Sequence, residues 1–275
     1  DEPMDGEGSS AVRYVEDGGL AVADGMIIGR GDFPEVHKAH PDAKVVDHRP
    51  HLIMPGFIDT HLHFPQMQVV GSYAGALLEW LNKYTFVEEQ KFRDLTHAER
   101  IARFFFDELT NHGTTTAVAY CSVHRESAEA FFAESERRNM RMAAGKVMMD
   151  RNAPPGLLDT AQSGYDDSKV LIEKWHGRGR QSYAISPRFA ITSTPEQMEA
   201  AGTLVREHPD CLVQTHLSEN HAEIAYACEL YPEAKDYTDI YARYGLLGPK
   251  SLFGHCIHLS DREAGAMAES GSVAV

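Results

Sequence analysis

Basic residues are in short supply in this chain. Lys and Arg together number 26 against 41 Asp and Glu, a formal net charge of −15 over 275 residues. A phosphate backbone needs clustered cations, so nucleic acid is not an expected partner. Cysteine is sparse too. Cys121, Cys211, Cys228 and Cys256 fall without any Cys-x-x-Cys spacing, which argues against a zinc finger and suits reduced thiols better than a disulfide framework. No uninterrupted apolar run is long enough to cross a bilayer, and no basic stretch leads into an apolar one as in a secretory leader. The expectation is a soluble, cytoplasmic protein with no membrane partner.

What is present is enough apolar sequence, 43%, to bury a large core, and a barrel-sized domain with a small appendage fits this length as well as two domains do. Asp1–Ser10 is acidic, small and Gly-rich and reads as a mobile start. Ala11–Glu16, Gly19–Ala23, Met26–Gly29 and Lys44–Asp47 read as short strands between Gly-rich turns. Four such pieces do not close a core, so residues 1–52 are expected to form an incomplete β-module ahead of the main domain, 53–275.

The organising stretch is Met54–Gln66. Its apolar run, entered through Pro55-Gly56 and ended by Pro65, predicts a short buried strand with His61 and His63 at its tip. Residues i and i+2 of a strand point to one side, so two imidazoles converge there as a chelate for zinc or a similar ion. Alone, a His-x-His is more often structural.

Downstream, strand and helix alternate. Leu77–Leu81 starts a helix-like segment. A capping box at Thr96–Glu99 opens a helix closed by Asn111-His112-Gly113, and Thr114–Tyr120 is a strand. Ser127–Met140 (helix), Met142–Met149 (strand), Ser168–Trp175 (helix) and Tyr183–Ser186 (strand) continue the pattern. A helix starts at Thr194-Pro195, Cys211–His216 is a strand and Glu219–Leu230 a helix. Ser251–Cys256 is a strand, a capping box at Ser260–Glu263 opens a helix, and Ser272–Val275 is β-rich. About seven strands, each after the first preceded by a helix or crossover, predict an α/β fold of the (β/α)-barrel type with one strand missing. In such a barrel functional side chains stand at the C-terminal strand ends. The tips supply Asp59, His61 and His63, then Arg188 and Phe189, then His216 and Glu219, then His255. Chance rarely places all of these at one mouth.

Pro55–His63, Thr215-His216-Leu217-Ser218-Glu219 and Gly254-His255-Cys256 together resemble the amidohydrolase superfamily, in the aminohydrolase branch that deaminates heterocyclic rings. Within it, Phe64-Pro65-Gln66, Leu78–Phe86, Gly113–Thr116, Gly145–Asp150 and Ser186–Phe189 are similar to its guanine-deaminating members, and the Glu79–Phe86 block is the most specific of these. The resemblance implies a distorted (β/α)8 TIM barrel with a small β-sandwich-like module, a homodimer, one zinc ion per subunit and hydrolysis of guanine to xanthine and ammonia in purine catabolism. It implies zinc ligands His61, His63 and His216, with an Asp on strand eight as the last ligand. That Asp and that strand are not in this sequence, so the expectation is a barrel truncated before strand eight and part of a longer polypeptide.

On the same grounds a zinc-bound water, its pKa lowered toward ~7, would attack the ring, with Glu219 as the proton carrier and His255 as orienter or electrostatic stabiliser. Gln66 and Arg188 would read the guanine edge, and Phe189 or Trp80 would stack on the ring, though core packing accounts for either aromatic equally well. Two rival readings accompany this one: a related deaminase or dechlorinase acting on another purine, a pterin or a triazine, and a catalytically silent barrel scaffold.

Overall fold

Asp24 and Gly25, both with positive φ, join strands β1 (Gly18–Ala23) and β2 (Met26–Asp32) into an antiparallel hairpin, the turn chemistry a two-residue connection demands. The computed structural model describes residues 13–75 and 77–275, and the chain divides at Pro55/Gly56 into two units.

In the first unit the hairpin runs directly into helix α1 (Phe33–Ala39), with Pro34 and Glu35 in its first turn. That helix was not expected, although Asp32-Phe33-Pro34-Glu35 carries the usual start signals of a capping-type residue, an early Pro and an early acid. Of the expected strands, Gly19–Ala23 and Met26–Gly29 form. Lys44–Asp47 does not: its two valines are exposed and no neighbouring strand pairs with them among the described residues. Arg13–Glu16 is likewise not a strand, and Asp1–Val12 lies outside the described residues. Among the described residues this unit is a hairpin and a helix rather than a sandwich.

The second unit is built on parallel strands β3 (Phe57–His63), β4 (Thr114–Tyr120), β5 (Arg141–Gly145), β6 (Val147–Met148), β7 (Gln181–Pro187), β8 (Leu212–Leu217), β9 (Ser251–His255) and β10 (Val273–Ala274). Their order is β10-β9-β8-β7-β5-β4-β3, with β6 also on β7, so chain order and spatial order coincide as in a (β/α) barrel. The connections carry α2 (Leu77–Trp80) and α3 (Phe86–Glu89) on either side of a π turn, then α4 (Leu95–Asn111), α5 (Arg125–Arg137), α6 (Ala161–Trp175), α7 (Pro195–Glu207), α8 (His221–Leu230), α9 (Tyr237–Arg243) and α10 (Asp261–Ser270). Helix α9 had no counterpart in the sequence reading.

Local chemistry set the boundaries that differ from expectation. Asp94, not Thr96, caps α4, its carboxylate accepting the amides of Thr96 and His97. Asn220 and Glu223 form a reciprocal capping box for α8, which leaves Glu219 in the loop before the helix instead of on it. The expected strand Met142–Met149 breaks at Lys146, a fully buried lysine whose Nζ donates to Asp159 at 2.8 Å. The strand expected to be buried around His61 is not so at its start, where Phe57 and Ile58 are exposed, because β3 ends the strand order and pairs only with β4.

The core lies between sheet and helices. Ala117, Ala119 and Ala144 on β4 and β5 are small enough for the helices to approach, and Phe106, Phe131 and Phe132 fill the layer, Phe132 stacking on Trp175 of α6. This packing holds the C-terminal strand tips in place.

Candidate active site

At those tips lies a cavity of about 260 Å³ lined by His61, His63, Gln66, Leu77, Trp80, Leu81, Arg188, Phe189, His216, Glu219 and His255. The nine side chains given candidate roles from the sequence are all in this lining; Asp59, also expected at the mouth, is not.

Strand alternation brings His61 and His63 to one side of β3, and Asp59 fixes the register there by accepting the His61 amide at 3.0 Å. His63 stacks on Tyr120 from β4 with centroids 4.6 Å apart, and its Nε2 lies 2.9 Å from Nε2 of His216 on β8. His216 is oriented from behind, its Nδ1 donating to the Arg188 carbonyl at 2.7 Å, which leaves Nε2 with a free lone pair. His61 sits 5.0 Å from His216 and 4.9 Å from His255, centroid to centroid. It fits there because residue 254 is glycine: a Cβ at that position would be 2.3 Å from His61 Cε1.

The backbone at the tips is bent to aim these groups. Ser218, His255 and Cys256 all have positive φ, a conformation L-residues adopt at a cost. Hydrogen bonds from Cys256 N to Leu217 O and from Ile257 N and His258 N to Ser218 O hold the two bent ends against each other. Glu219, partly buried, then points its Oε2 to within 3.3 Å of His255 Nε2.

Burial dominates the electrostatics. It lowers His61 to about 4, with the neighbouring His255 adding to the effect, and it holds His63 and His216 well below the ordinary histidine value, helped by the other imidazoles. All three are therefore neutral at pH 7, the form that ligates a metal. Burial lowers His255 as well, and raises Glu219 against the opposing pull of Arg188.

The donor set fits a divalent cation. Nδ1 of His61 is buried without a hydrogen-bond partner, Nε2 of His63 and Nε2 of His216 face each other at 2.9 Å, and ring nitrogens of His61, His216 and His255 come within 4.8 Å of one another. Neutral imidazoles crowded this closely, with a buried unpaired nitrogen, are costly unless something satisfies their lone pairs. The expected trio of His61, His63 and His216 is brought together, and His255 joins the cluster.

Arg188 is 3% exposed. Its Nη1 donates to Oε2 of Glu89 at 2.6 Å, and its guanidinium lies 5.4 Å from the Phe86 ring centroid. Gln66 donates from Nε2 to the other oxygen of Glu89 at 3.3 Å. Trp80 is tied by its indole N–H to Ser72 Oγ, and Phe189 is buried beside His216.

The sequence reading missed Glu89, Tyr120 and Glu223. Glu89 was legible as an acid in an apolar position, since Leu81, Phe86 and Phe92 around it are all buried. Glu223 caps α8 and also accepts the Glu219 amide at 2.8 Å, a double use that no pattern announces.

Residues 52–273 match the model of the amidohydrolase family. The chain belongs to that family. The amidohydrolase chain is 49% identical over 265 residues to guanine deaminase of Escherichia coli strain K12, covering 96% of this sequence and 60% of that one. It superposes on the structure of E. coli guanine deaminase with a TM-score of 0.92 at 48% identity, over 95% of this chain and 61% of that chain. On guanine deaminase from C. acetobutylicum, solved with guanine bound in its active site, the TM-score is 0.85 at 30% identity, over 93% and 61%. This amidohydrolase chain thus spans about three fifths of the length of these relatives. The α/β architecture, an arc of a distorted (β/α)8 barrel, is the expected one.

Proposed function

We propose that this chain contributes the metal-binding and base-reading part of a guanine aminohydrolase, which converts guanine and water to xanthine and ammonia. The observation that carries the proposal is the convergence of three neutral imidazoles, one half-buried carboxylate and a buried guanidinium on a single cavity. The likeness to guanine deaminases over nearly the whole chain supports the same reading. Residues 53–275 are read as the catalytic barrel and 1–52 as an accessory module.

In this reading His61, His63 and His216 hold the ion, taken to be zinc from its imidazole ligands. Once bound, it supplies Lewis acidity that makes water a competent nucleophile at neutral pH. Glu219 takes one proton from the attacking water and passes it to a ring nitrogen, then carries the second proton, from the hydroxyl so added to the ring carbon, to the departing amino group, so that one C–O bond forms, one C–N bond breaks and ammonia leaves. A carboxyl whose pKa is raised by burial suits that exchange. His255, 3.3 Å from Glu219, orients the carboxylate and the attacking oxygen.

Arg188 donates to the O6 acceptor of guanine and Gln66 meets the adjacent ring N–H. Adenine offers an amino donor where guanine has O6 and would leave Arg188 facing a donor, which rejects it. Phe189 and Trp80 give the ring its apolar walls. A homodimer working in cytoplasmic purine catabolism is part of the same proposal.

Ammonia release from guanine, adenine and cytosine by the intact protein tests the assignment. Glu219→Gln should keep its metal and lose about 10²–10⁴ in turnover, the usual contribution of a proton carrier. Arg188→Ala should mainly weaken selection of guanine. Unaltered rates in both variants would refute the proposal, and faster release from another ring would move it to a related substrate.

A further inference from the structure

Glu89 does not line the cavity, yet both proposed readers of the base end on it. It sits on α3 with no solvent exposure, one turn from Phe86. Oε2 accepts from Arg188 Nη1 and Oε1 accepts from Gln66 Nε2. Among the described residues it is the one side chain to which either group donates a hydrogen bond.

An amide side chain is ambiguous: its oxygen accepts and its nitrogen donates, and a free Gln66 would offer either end to a ligand. A carboxylate only accepts. Placed behind Gln66, Glu89 draws the NH2 end toward itself and leaves Oε1 for the cavity. The same carboxylate, with the Phe86 ring, fixes the guanidinium plane, so that Arg188 presents donors and nothing else. The cavity wall then reads donor from Arg188 and acceptor from Gln66, the complement of a carbonyl next to a ring N–H.

We propose that Glu89 is the positioning residue that sets base specificity, by fixing the amide of Gln66 with its oxygen toward the substrate. This rests on the guanine reading above and adds to it the source of discrimination. Glu89→Gln is close to isosteric and can still accept from Arg188 through its own oxygen. Its NH2 then faces Gln66, which turns over and shows the cavity a donor. Guanine, with N–H at ring position 1, loses its acceptor; 2-aminopurine, with a bare nitrogen there, gains a donor.

The test is kcat/KM for guanine and for 2-aminopurine in the intact, metal-loaded protein, with the affinity of hypoxanthine measured by calorimetry on metal-free protein as a readout independent of turnover. Hypoxanthine carries the carbonyl and ring N–H of guanine without the amino group that leaves. In Glu89→Gln the guanine to 2-aminopurine ratio should fall by about tenfold, one hydrogen bond of discrimination, mainly through KM, and hypoxanthine should weaken by a similar factor. A purely structural role would lower both substrates together and leave the ratio unchanged, which overturns the inference. Glu89→Asp keeps an acceptor-only group and should hold the ratio while lowering both rates. It decides the matter if the Gln variant does not fold, since a shifted ratio in Glu89→Asp also overturns the inference. Failure of the guanine reading itself is distinct: the unsubstituted protein would then release no ammonia from guanine.

Discussion

Replacing Gly254 by alanine adds one methyl group, and the structure places it in the path of one ring. The new Cβ would lie 2.3 Å from Cε1 and 2.6 Å from Nδ1 of His61, where ordinary contacts between such atoms begin near ~3.4 Å. Backbone strain is not involved, because Gly254 is in the middle of β9 and is not among the positive-φ residues. Only the imidazole can yield, by about 1 Å, and metal sites tolerate displacements of roughly 0.2 Å from their preferred ligand distances. Losses of 10–100-fold follow when a group behind a ligand is removed, so a ligand pushed bodily away should cost about 100-fold or more in metal affinity. The chain should stay folded, since β9 remains paired with β8 and β10. The assay is competition for the ion against a chelator of known affinity, with a thermal melt beside it to confirm folding. Full metal occupancy at wild-type affinity in a folded Gly254→Ala protein would show that His61 is not a ligand and that the cluster has been misread.

Two further predictions concern the scaffold. Asp159→Asn removes the carboxylate paired with Lys146, leaving a fully buried lysine with no counter-charge, and should destabilise the fold by about 3–5 kcal/mol in denaturant titrations; a loss below about 1 kcal/mol would mean that the pair does not hold this part of the fold. Glu134 is held below the ordinary carboxylate value chiefly by its hydrogen bond from Arg137 and also by Arg138, with burial opposing. A depressed carboxylate contributes stability that is present above its unfolded pKa and is lost as pH falls toward the folded one. Stability measured from pH 7 down into the acid range should therefore drop less steeply in Glu134→Gln than in the unsubstituted protein; parallel curves would remove this pair from the acid response.

The barrel-type alternation was legible because strands buried under helices must be apolar, and because capping residues mark where helices begin. Thr194 and Ser260 cap the helices they were expected to cap. Where several polar residues compete, the pattern is ambiguous, and Asp94 displaced Thr96 by two positions. The small first unit was poorly legible. Val45 and Val46 carry strand propensity, but a strand exists only with a partner edge, which propensity does not supply.

Likewise, the spacing of His61 and His63 on one strand, the run from His216 to Glu219, and the pair Arg188-Phe189 at a strand end were enough to name these six cavity residues, while Gln66 and Trp80 entered through the family resemblance. These are properties of short segments, set by the two-residue period of β structure and the placement of strand ends in a parallel barrel. What the tertiary structure alone decided is how the segments act on one another across long stretches of chain. The lone-pair direction of His216 depends on the carbonyl of Arg188, the seat of His61 on the missing side chain of Gly254, and the orientation of Gln66 on a carboxylate in α3. Each is a contact of a few ångströms between residues far apart in sequence, and hydrogen-bond direction and steric exclusion exist only once packing has brought such atoms together.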